Sequence, residues 1–201
     1  MPEPSGEGGL DQALPAAFFD RPAAIVARAL LGCHLVSECG GDRAVGRIVE
    51  TEAYPGPEDP AGHAAASVGR TARNDPLFGP PGIAYIHLNY GVHWCLNVVT
   101  GEEGHPAGVL IRALEPLTGR EVMRRRRGRA ELTNGPARLT QALGIGPQLQ
   151  RHPLDRPPLW MNHGSAVPER RVVVTTRIGI SKGTDLRLRF YDDESRWISR
   201  R

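Results

Sequence analysis

The chain has 201 residues, 40% hydrophobic and 23% charged, values that suit one globular domain with a real core and exclude a disordered or membrane-embedded chain. Net charge is +3, and the 25 basic residues are all arginine except Lys182. Arginine suits bidentate phosphate contacts, but it equally reflects a GC-rich coding bias, so composition alone does not select a nucleic-acid partner. No apolar run is long enough to span a bilayer, and the first residues lack the basic and apolar regions of a signal peptide. Residues 1–14 read as a mobile tail and residues 15–201 as one domain. Cys33, Cys39 and Cys95 are odd in number and lack paired metal spacing, which fits a reducing cytoplasm.

In chain order, Asp20 is placed to cap a helix over residues 21–31, with Pro22 in its first turn and Gly32 closing it. Its apolar stripe is Ile25, Val26, Ala29 and Leu30. Strands follow over residues 33–37 and 43–54, forming a hairpin that turns at Gly40-Gly41. In the second strand Glu50, Glu52 and Tyr54 alternate onto one face and end at the turn Pro55-Gly56-Pro57. Two carboxylates on a strand are either solvated and idle or held for chemistry, because burying one without a partner costs several kcal/mol. Residues 55–82 read as a long loop carrying Arg70 and Arg73, and loops of that length are functional or disordered.

Residues 83–99 read as a second hairpin, with Gly91 available for positive φ and Tyr90 at the tip. Tyr85, His87 and Asn89 share one face of its first strand; Ala84, Ile86 and Leu88 share the other. Residues 109–114 form an apolar strand interrupted by Arg112, which needs a carboxylate or a ligand. Thr118-Gly-Arg-Glu121 reads as a capping box opening a helix with the run Arg124–Arg127 and Arg129. That run is a solvated helix end or a DNA contact, the former being the simpler reading. Asn134-Gly135-Pro136 opens a further helix ending at Gly144, whose free N–H groups suit a phosphate. Residues 171–180 and 185–191 alternate as strands.

The order of motifs resembles the mammalian-type alkyladenine (3-methyladenine) DNA glycosylases, which also occur in bacteria. The matching pieces run from Arg47-Ile-Val-Glu-Thr-Glu-Ala-Tyr54 through Gly56-Pro-Glu-Asp59, His63 and Arg73-Asn74. They continue with Phe78, Pro81-Gly82, Tyr85, Tyr90-Gly91, Cys95, Asn97 and Leu110-Ile-Arg-Ala-Leu-Glu-Pro-Leu117. Gly135-Pro136, Leu139 and Gln141-Ala-Leu143 complete the set, which covers roughly residues 15–200, the span of a whole domain.

The resemblance implies an enzyme that flips an alkylated or deaminated purine out of duplex DNA and hydrolyses its N-glycosidic bond, starting base excision repair. It implies Glu52 as the base that activates water and Arg112 as its partner, holding it ionised. Tyr54 and His63 would form one wall of the base pocket and His87 the opposite wall. The family carries a tyrosine where this chain has His87, and an imidazolium there would repel a cationic base at mildly acid pH. Asn97 would clash with the exocyclic amine of guanine, and Tyr90 would fill the gap left by the flipped nucleotide. Arg70, Arg73, Gly135 and Arg138 are candidate DNA backbone contacts.

No metal or cofactor is implied, a monomer suffices, and the expected location is cytoplasmic, at the nucleoid. With no lysine near Glu52 in the sequence, a monofunctional reaction without a Schiff base is expected. The fold expected is α+β, a single mixed domain with a curved antiparallel β-sheet, surrounding helices and a protruding β-hairpin. Two rival readings stand beside it. One is a sugar hydrolase using the Glu50/Glu52 pair, whose spacing of about 6.6–7 Å suits an inverting mechanism. The other is a non-catalytic nucleic-acid-binding module using the arginine-rich helix and the Tyr90 tip.

Overall fold

Strand β2 (Ala44–Tyr54) is where the sheet divides, because it pairs with three other strands. The structure, a computed structural model, describes residues 13–89 and 91–201; the tail over residues 1–12 and the wedge assigned to Tyr90 lie outside the described residues. β1 (His34–Ser37) joins β2 through the turn at Cys39–Gly41, where Gly40 and Gly41 both take positive φ, as the hairpin reading required. β3 (Ala84–Asn89), β4 (His93–Thr100) and β5 (Ala107–Thr118) follow, and β5 runs along β2 for its whole length. β6 (Asp155–Arg156), β7 (Leu159–Asn162), β8 (Val172–Thr175) and β9 (Arg189–Asp192) complete nine strands among the described residues, all paired antiparallel.

Since β5 occupies one edge of β2, β1 and β9 must share the other. β1 pairs residues 44–47 and β9 pairs residues 50–52. The sheet therefore forks at β2, one arm running through β1, β7 and β6, the other through β9 and β8. The result is a curled antiparallel sheet with few helices: α1 (Ala16–Phe19), α2 (Ala23–Ala29), α3 (Arg120–Arg127) and α4 (Pro136–Leu143). This is the single α+β domain expected. The β3–β4 hairpin lies at one end of the strand order, and its tip over residues 91–93 is exposed.

The two faces of β2–β5–β4–β3 have opposite characters, as the period-2 geometry of strands dictates. One carries Ile111, Val109, Val98, Leu96, Ala84 and Ile86 into the main core with Val26, Ala27 and Leu30 of α2. Thr51 on this face donates its hydroxyl to the Ala27 carbonyl at 2.8 Å, tying α2 to β2. The other face carries Glu52, Tyr54, Leu110, Arg112, Asn97, Tyr85 and His87.

Several sequence expectations shift. Ala13 and Leu14, assigned to the tail, belong to the fold: Ala13 bridges Asn162, and Leu14 is fully buried with its N–H on the Met161 carbonyl. Pro22, not Asp20, stands at the N-cap of α2, because its extended ψ of 137° ends the preceding turn. Ile25 is exposed, while Val26 and Leu30 carry the stripe. The capping box at Thr118 does not form: Thr118 still belongs to β5, and the chain turns into α3 through Gly119 at φ 72°. The two C-terminal strands are shorter than expected, because residues 176–188 leave the sheet. The proline-rich stretch over residues 147–158 hides β6, and β7 lies just beyond it, where the sequence reading has no strand. Among the described residues no helix is long and apolar enough to cross a membrane.

Gly32 links α2 to β1 at φ 91°, and a Cβ there would lie 2.1 Å from the Ser165 carbonyl oxygen. Gly41 also has positive φ, at 85°, but open space where its Cβ would sit. Gly32→Ala therefore combines backbone strain with a backbone clash, and should cost about 3 kcal/mol or more against about 1 kcal/mol for Gly41→Ala. Denaturant unfolding of both variants checks this; equal costs would mean the Ser165 segment yields freely.

Candidate active site

Register builds the site. Glu52 pairs with Leu110, Leu110 with Asn97, and Asn97 with Tyr85, so these four residues form one row across β2, β5, β4 and β3. Tyr54 lies opposite Gly108 in the next row, and His87 opposite Cys95. Above this face is a cavity of about 350 Å³. Tyr54, Tyr85, His87, Cys95, Asn97, Leu110 and Arg112 line it from the sheet. The loop after β2 adds residues 60–63, and residues 178–182 close the other side. Tyr54, His63, His87, Asn97 and Arg112, singled out from the sequence, thus share one cavity.

Two bulges set the charged centre. The register steps past Val49 in β2, and then past Arg112 in β5 between the pairs Glu50–Ala113 and Thr51–Ile111. A bulged residue is re-aimed relative to the ladder, and here it is the arginine. Its guanidinium meets both acids: Nε is 3.1 Å from Glu50 Oε1, and Nη1 is 3.2 Å from Glu52 Oε2. Both carboxylates are fully buried.

Glu50 is otherwise occupied. Arg189 Nε donates to its Oε1 at 2.7 Å, the Ser199 hydroxyl to the same oxygen at 2.8 Å, and the Ser199 N–H to Oε2 at 2.5 Å. Glu52 is less fully bonded: the Tyr54 hydroxyl donates to Oε2 at 3.1 Å and the Ile178 N–H to Oε1 at 2.8 Å. Glu52 does not itself line the cavity, but Tyr54, Arg112 and Ile178, its three partners, do. Burial raises the Glu52 pKa, and the lowering by Arg112, the Ile178 N–H and the Tyr54 hydroxyl does not cancel it. Arg112 thus offsets the desolvation of Glu52 only in part, where the sequence reading had it simply hold the acid ionised.

The aromatic side chains are arranged differently from the expected pair of opposing walls. The His63 and His87 rings touch edge to face, with centroids 4.4 Å apart, so they are neighbours rather than facing walls. His87 stacks on Tyr85 at 5.4 Å, and His63 Nδ1 lies 2.9 Å from the Tyr85 hydroxyl. Burial, the nearby His63 and the Arg73 charge push the His87 pKa down to about 3, so mild acid does not make it an imidazolium. His63 is also lowered, first by burial and then by Arg73.

Sequence reasoning missed the segment from Arg177 to Lys182. Arg177 is fully buried as a side chain, paired with buried Asp59, and donates to the Ala53 carbonyl at 3.0 Å. Its guanidinium lies 4.6 Å from the Tyr54 ring centroid, fixing that ring from one side. An arginine inside the strand expected over residues 171–180, with Asp59 in the motif loop, was the available signal. Lys182, far from Glu52 in sequence, lines the same cavity. Among the described residues no three His, Cys, Asp or Glu side chains cluster as metal ligands.

The candidate DNA contacts are in different states. Arg70 pairs with Asp75 at 2.6 Å, Arg73 donates to the Leu88 carbonyl of β3 at 2.7 Å, and Arg138 donates to Asn134 Oδ1 at 3.0 Å. Gly135 is the N-cap of α4, and Pro136 at its first turn lines the cavity. The arginine run of α3 is not a bare solvated end. Arg125 pairs with Asp42, Arg126 reaches the Cys39 and Ala142 carbonyls, and Arg127 the Glu131 carbonyl and Gln141, stapling α3 to α4 and the β1–β2 turn.

Comparison with known proteins accounts for nearly the whole chain. The family model of methylpurine-DNA glycosylase (MPG) matches residues 17–196. A protein of Carboxydothermus hydrogenoformans named "Putative 3-methyladenine DNA glycosylase" is 47% identical over 192 residues, covering 94% of this chain and 99% of its own. Relatives of the same name from Salinibacter ruber and Methanoculleus marisnigri are 46% and 48% identical, covering 92% and 94% of this chain and 96% and 99% of their own. The chain belongs to the methylpurine-DNA glycosylase family, enzymes that hydrolyse N-glycosyl bonds.

Proposed function

We propose that this protein flips alkylated or deaminated purine nucleotides out of duplex DNA and hydrolyses the bond between base and sugar with a water activated by Glu52. The observation that carries this reading is the buried Glu52–Arg112 pair beside the cavity that Tyr54, His63, His87 and Asn97 line. Glu52 Oε1 accepts one N–H and keeps a lone pair for a water that reaches it beside Arg112. The water oxygen bonds to C1′, its proton passes to Glu52, and the C1′–N bond breaks with its electron pair leaving on the base. The anionic carboxylate also opposes the positive charge that develops on the sugar.

The base stacks on the free face of Tyr54, whose other face Arg177 covers. A cationic ring-alkylated purine gains from that π face. Asn97 excludes undamaged guanine through its exocyclic amine, and Tyr90 fills the vacated stack. Arg70, Arg73, Arg138 and the N–H groups after Gly135 hold the DNA backbone. The protein acts as a monomer on damaged duplex DNA at the nucleoid and needs no cofactor. Glu50 does not suit the sugar-hydrolase reading, because Arg112, Arg189 and Ser199 occupy its oxygens away from the cavity lining. A DNA-binding module without catalysis would leave a buried carboxylate–guanidinium pair beside the cavity with no purpose.

Glu52→Gln keeps the shape and removes the base, so base release from alkylated duplex should vanish while DNA binding persists. Residual turnover within about tenfold of wild type, a barrier change of only ~1.4 kcal/mol, would overturn the assignment. Since Glu52 must be ionised and its pKa is raised by burial, kcat/KM should fall as pH falls, with a midpoint above the usual carboxylate value of about 4.3. His87 should add nothing to that profile. Between pH 7.5 and 6 the ratio of 7-methylguanine to hypoxanthine release should follow the same course in wild type and in His87→Tyr. Divergent courses would mean that the imidazole titrates in this range. Finally, a monofunctional enzyme forms no imine with its product. Borohydride added during turnover should trap no protein–DNA adduct, and an adduct lost in Lys182→Arg would replace this reading with a lyase.

A further inference from the structure

His87 stands where the family pattern has a tyrosine, and the atoms around it determine which of its nitrogens carries a proton. Asn97 Nδ2 lies 3.3 Å from the Tyr85 carbonyl oxygen, which can only accept, so the amide is oriented with its NH₂ group toward that strand. The same Nδ2 lies 3.0 Å from His87 Nδ1. Its second hydrogen therefore points at Nδ1, which accepts, and the neutral ring carries its hydrogen on Nε2. A proton on Nδ1 would set N–H against N–H. Among the described residues the other groups around the ring give it no anion to balance a charge: His63 touches it, Tyr85 stacks on it, Cys95 is its cross-strand partner, and Arg73 adds positive charge. His87 is 9% exposed, lines the cavity, and has no hydrogen-bond partner at Nε2 among the described residues.

We propose that His87 is a specificity-determining residue, offering its Nε2–H to an acceptor on the flipped base and so favouring neutral damaged purines over cationic ones. The inference rests on the glycosylase reading above. A cationic purine, alkylated at N3 or N7, leaves as a neutral molecule and needs no help with charge. A neutral purine such as hypoxanthine leaves with the electron pair of the broken bond, so negative charge builds on the ring as C1′–N lengthens. A hydrogen-bond donor already aimed at the ring is worth more at that moment than in the bound state, and that difference is what accelerates the reaction. A tyrosine at this position stacks over a larger area but presents its hydroxyl from the far end of the ring. Replacing it with imidazole exchanges stacking for a donor close to the sheet.

The test compares hypoxanthine and 7-methylguanine release in single-turnover experiments on wild type and His87→Phe, which keeps an aromatic ring and removes the donor. The expected result is a loss for hypoxanthine about 10²-fold greater than the loss for 7-methylguanine, the scale of one removed transition-state donor, because both bases lose the same imidazole contact but only hypoxanthine needs the donor. Equal losses on both bases, or no loss on hypoxanthine, overturn the inference while leaving the glycosylase reading intact. Failure of wild type to release either base overturns the glycosylase reading itself. Nitrogen-15 NMR of His87 in the wild-type protein reads the tautomer independently of whether the variant folds. A protonated Nε2 with a bare Nδ1 from pH 8 to 6 is expected, and the opposite tautomer or an imidazolium in that range overturns the proposal.

Discussion

The guanidinium of Arg112, held between two fully buried carboxylates, is the interaction on which the rest of the site depends. Two acids two residues apart on one strand would repel each other and stay poorly solvated if nothing lay between them. Removing one partner from such a buried pair typically costs about 3–5 kcal/mol. The arginine comes from the neighbouring strand only because the ladder slips there, leaving Arg112 without a pairing partner and free to bridge both acids. A regular β2–β5 ladder would have no residue to spare at that point. The bulges are thus the backbone feature that makes a charged centre affordable inside an otherwise apolar sheet.

The same arrangement divides the two glutamates by role. Glu50 accepts from Arg112, Arg189 and both donors of Ser199, and these four bonds let it fix the arginine in place. Glu52 accepts fewer bonds, and each comes from a residue that lines the cavity. Burial then raises its proton affinity. In the proposed reaction Glu50 is then the positioning carboxylate and Glu52 the reactive one. The C-terminal segment takes part through Ser199, although it is remote from Glu50 in sequence.

Much of this was legible in the chain itself. Period-2 alternation correctly grouped Glu50, Glu52 and Tyr54, and Tyr85 with His87, because side chains on a strand can only alternate. The need of Arg112 for a carboxylate followed from its apolar neighbours. Other parts were not legible, because they depend on which distant segments meet. Nothing local to Arg177 says that it folds in upon Asp59 and Tyr54, and its neighbours Val172–Thr175 suggest a longer strand than forms. Arg126 looks like one of four equivalent arginines until the turn at Cys39 and the end of α4 are both beside it. The expectation of opposed His63 and His87 walls failed because the loop after β2 is stapled by Asn74, whose amide holds the His63 carbonyl at 2.9 Å and the Gly69 carbonyl at 2.7 Å. That staple brings His63 against His87, rather than across from it.

Charge accounting connects these features to turnover. Glu50 and Glu52 together balance Arg112 and Arg189, so the buried cluster is neutral while Glu52 is ionised. In the proposed reaction positive charge grows on the sugar beside this neutral cluster, and the Glu52 carboxylate is the nearest anion to it. When water adds, that positive charge disappears from the sugar, and the proton on Glu52 leaves the cluster with one uncompensated cation. Arg112 then disfavours the proton while burial favours it, and the two effects oppose each other at a single oxygen pair. A carboxylate held by burial alone would take the proton from water readily and release it slowly. One held by arginine alone would be too weak a base to take it. The bulge that aims Arg112 at Glu52 sets the balance between them, which is why the proposed chemistry traces back to two irregular positions in one pair of strands.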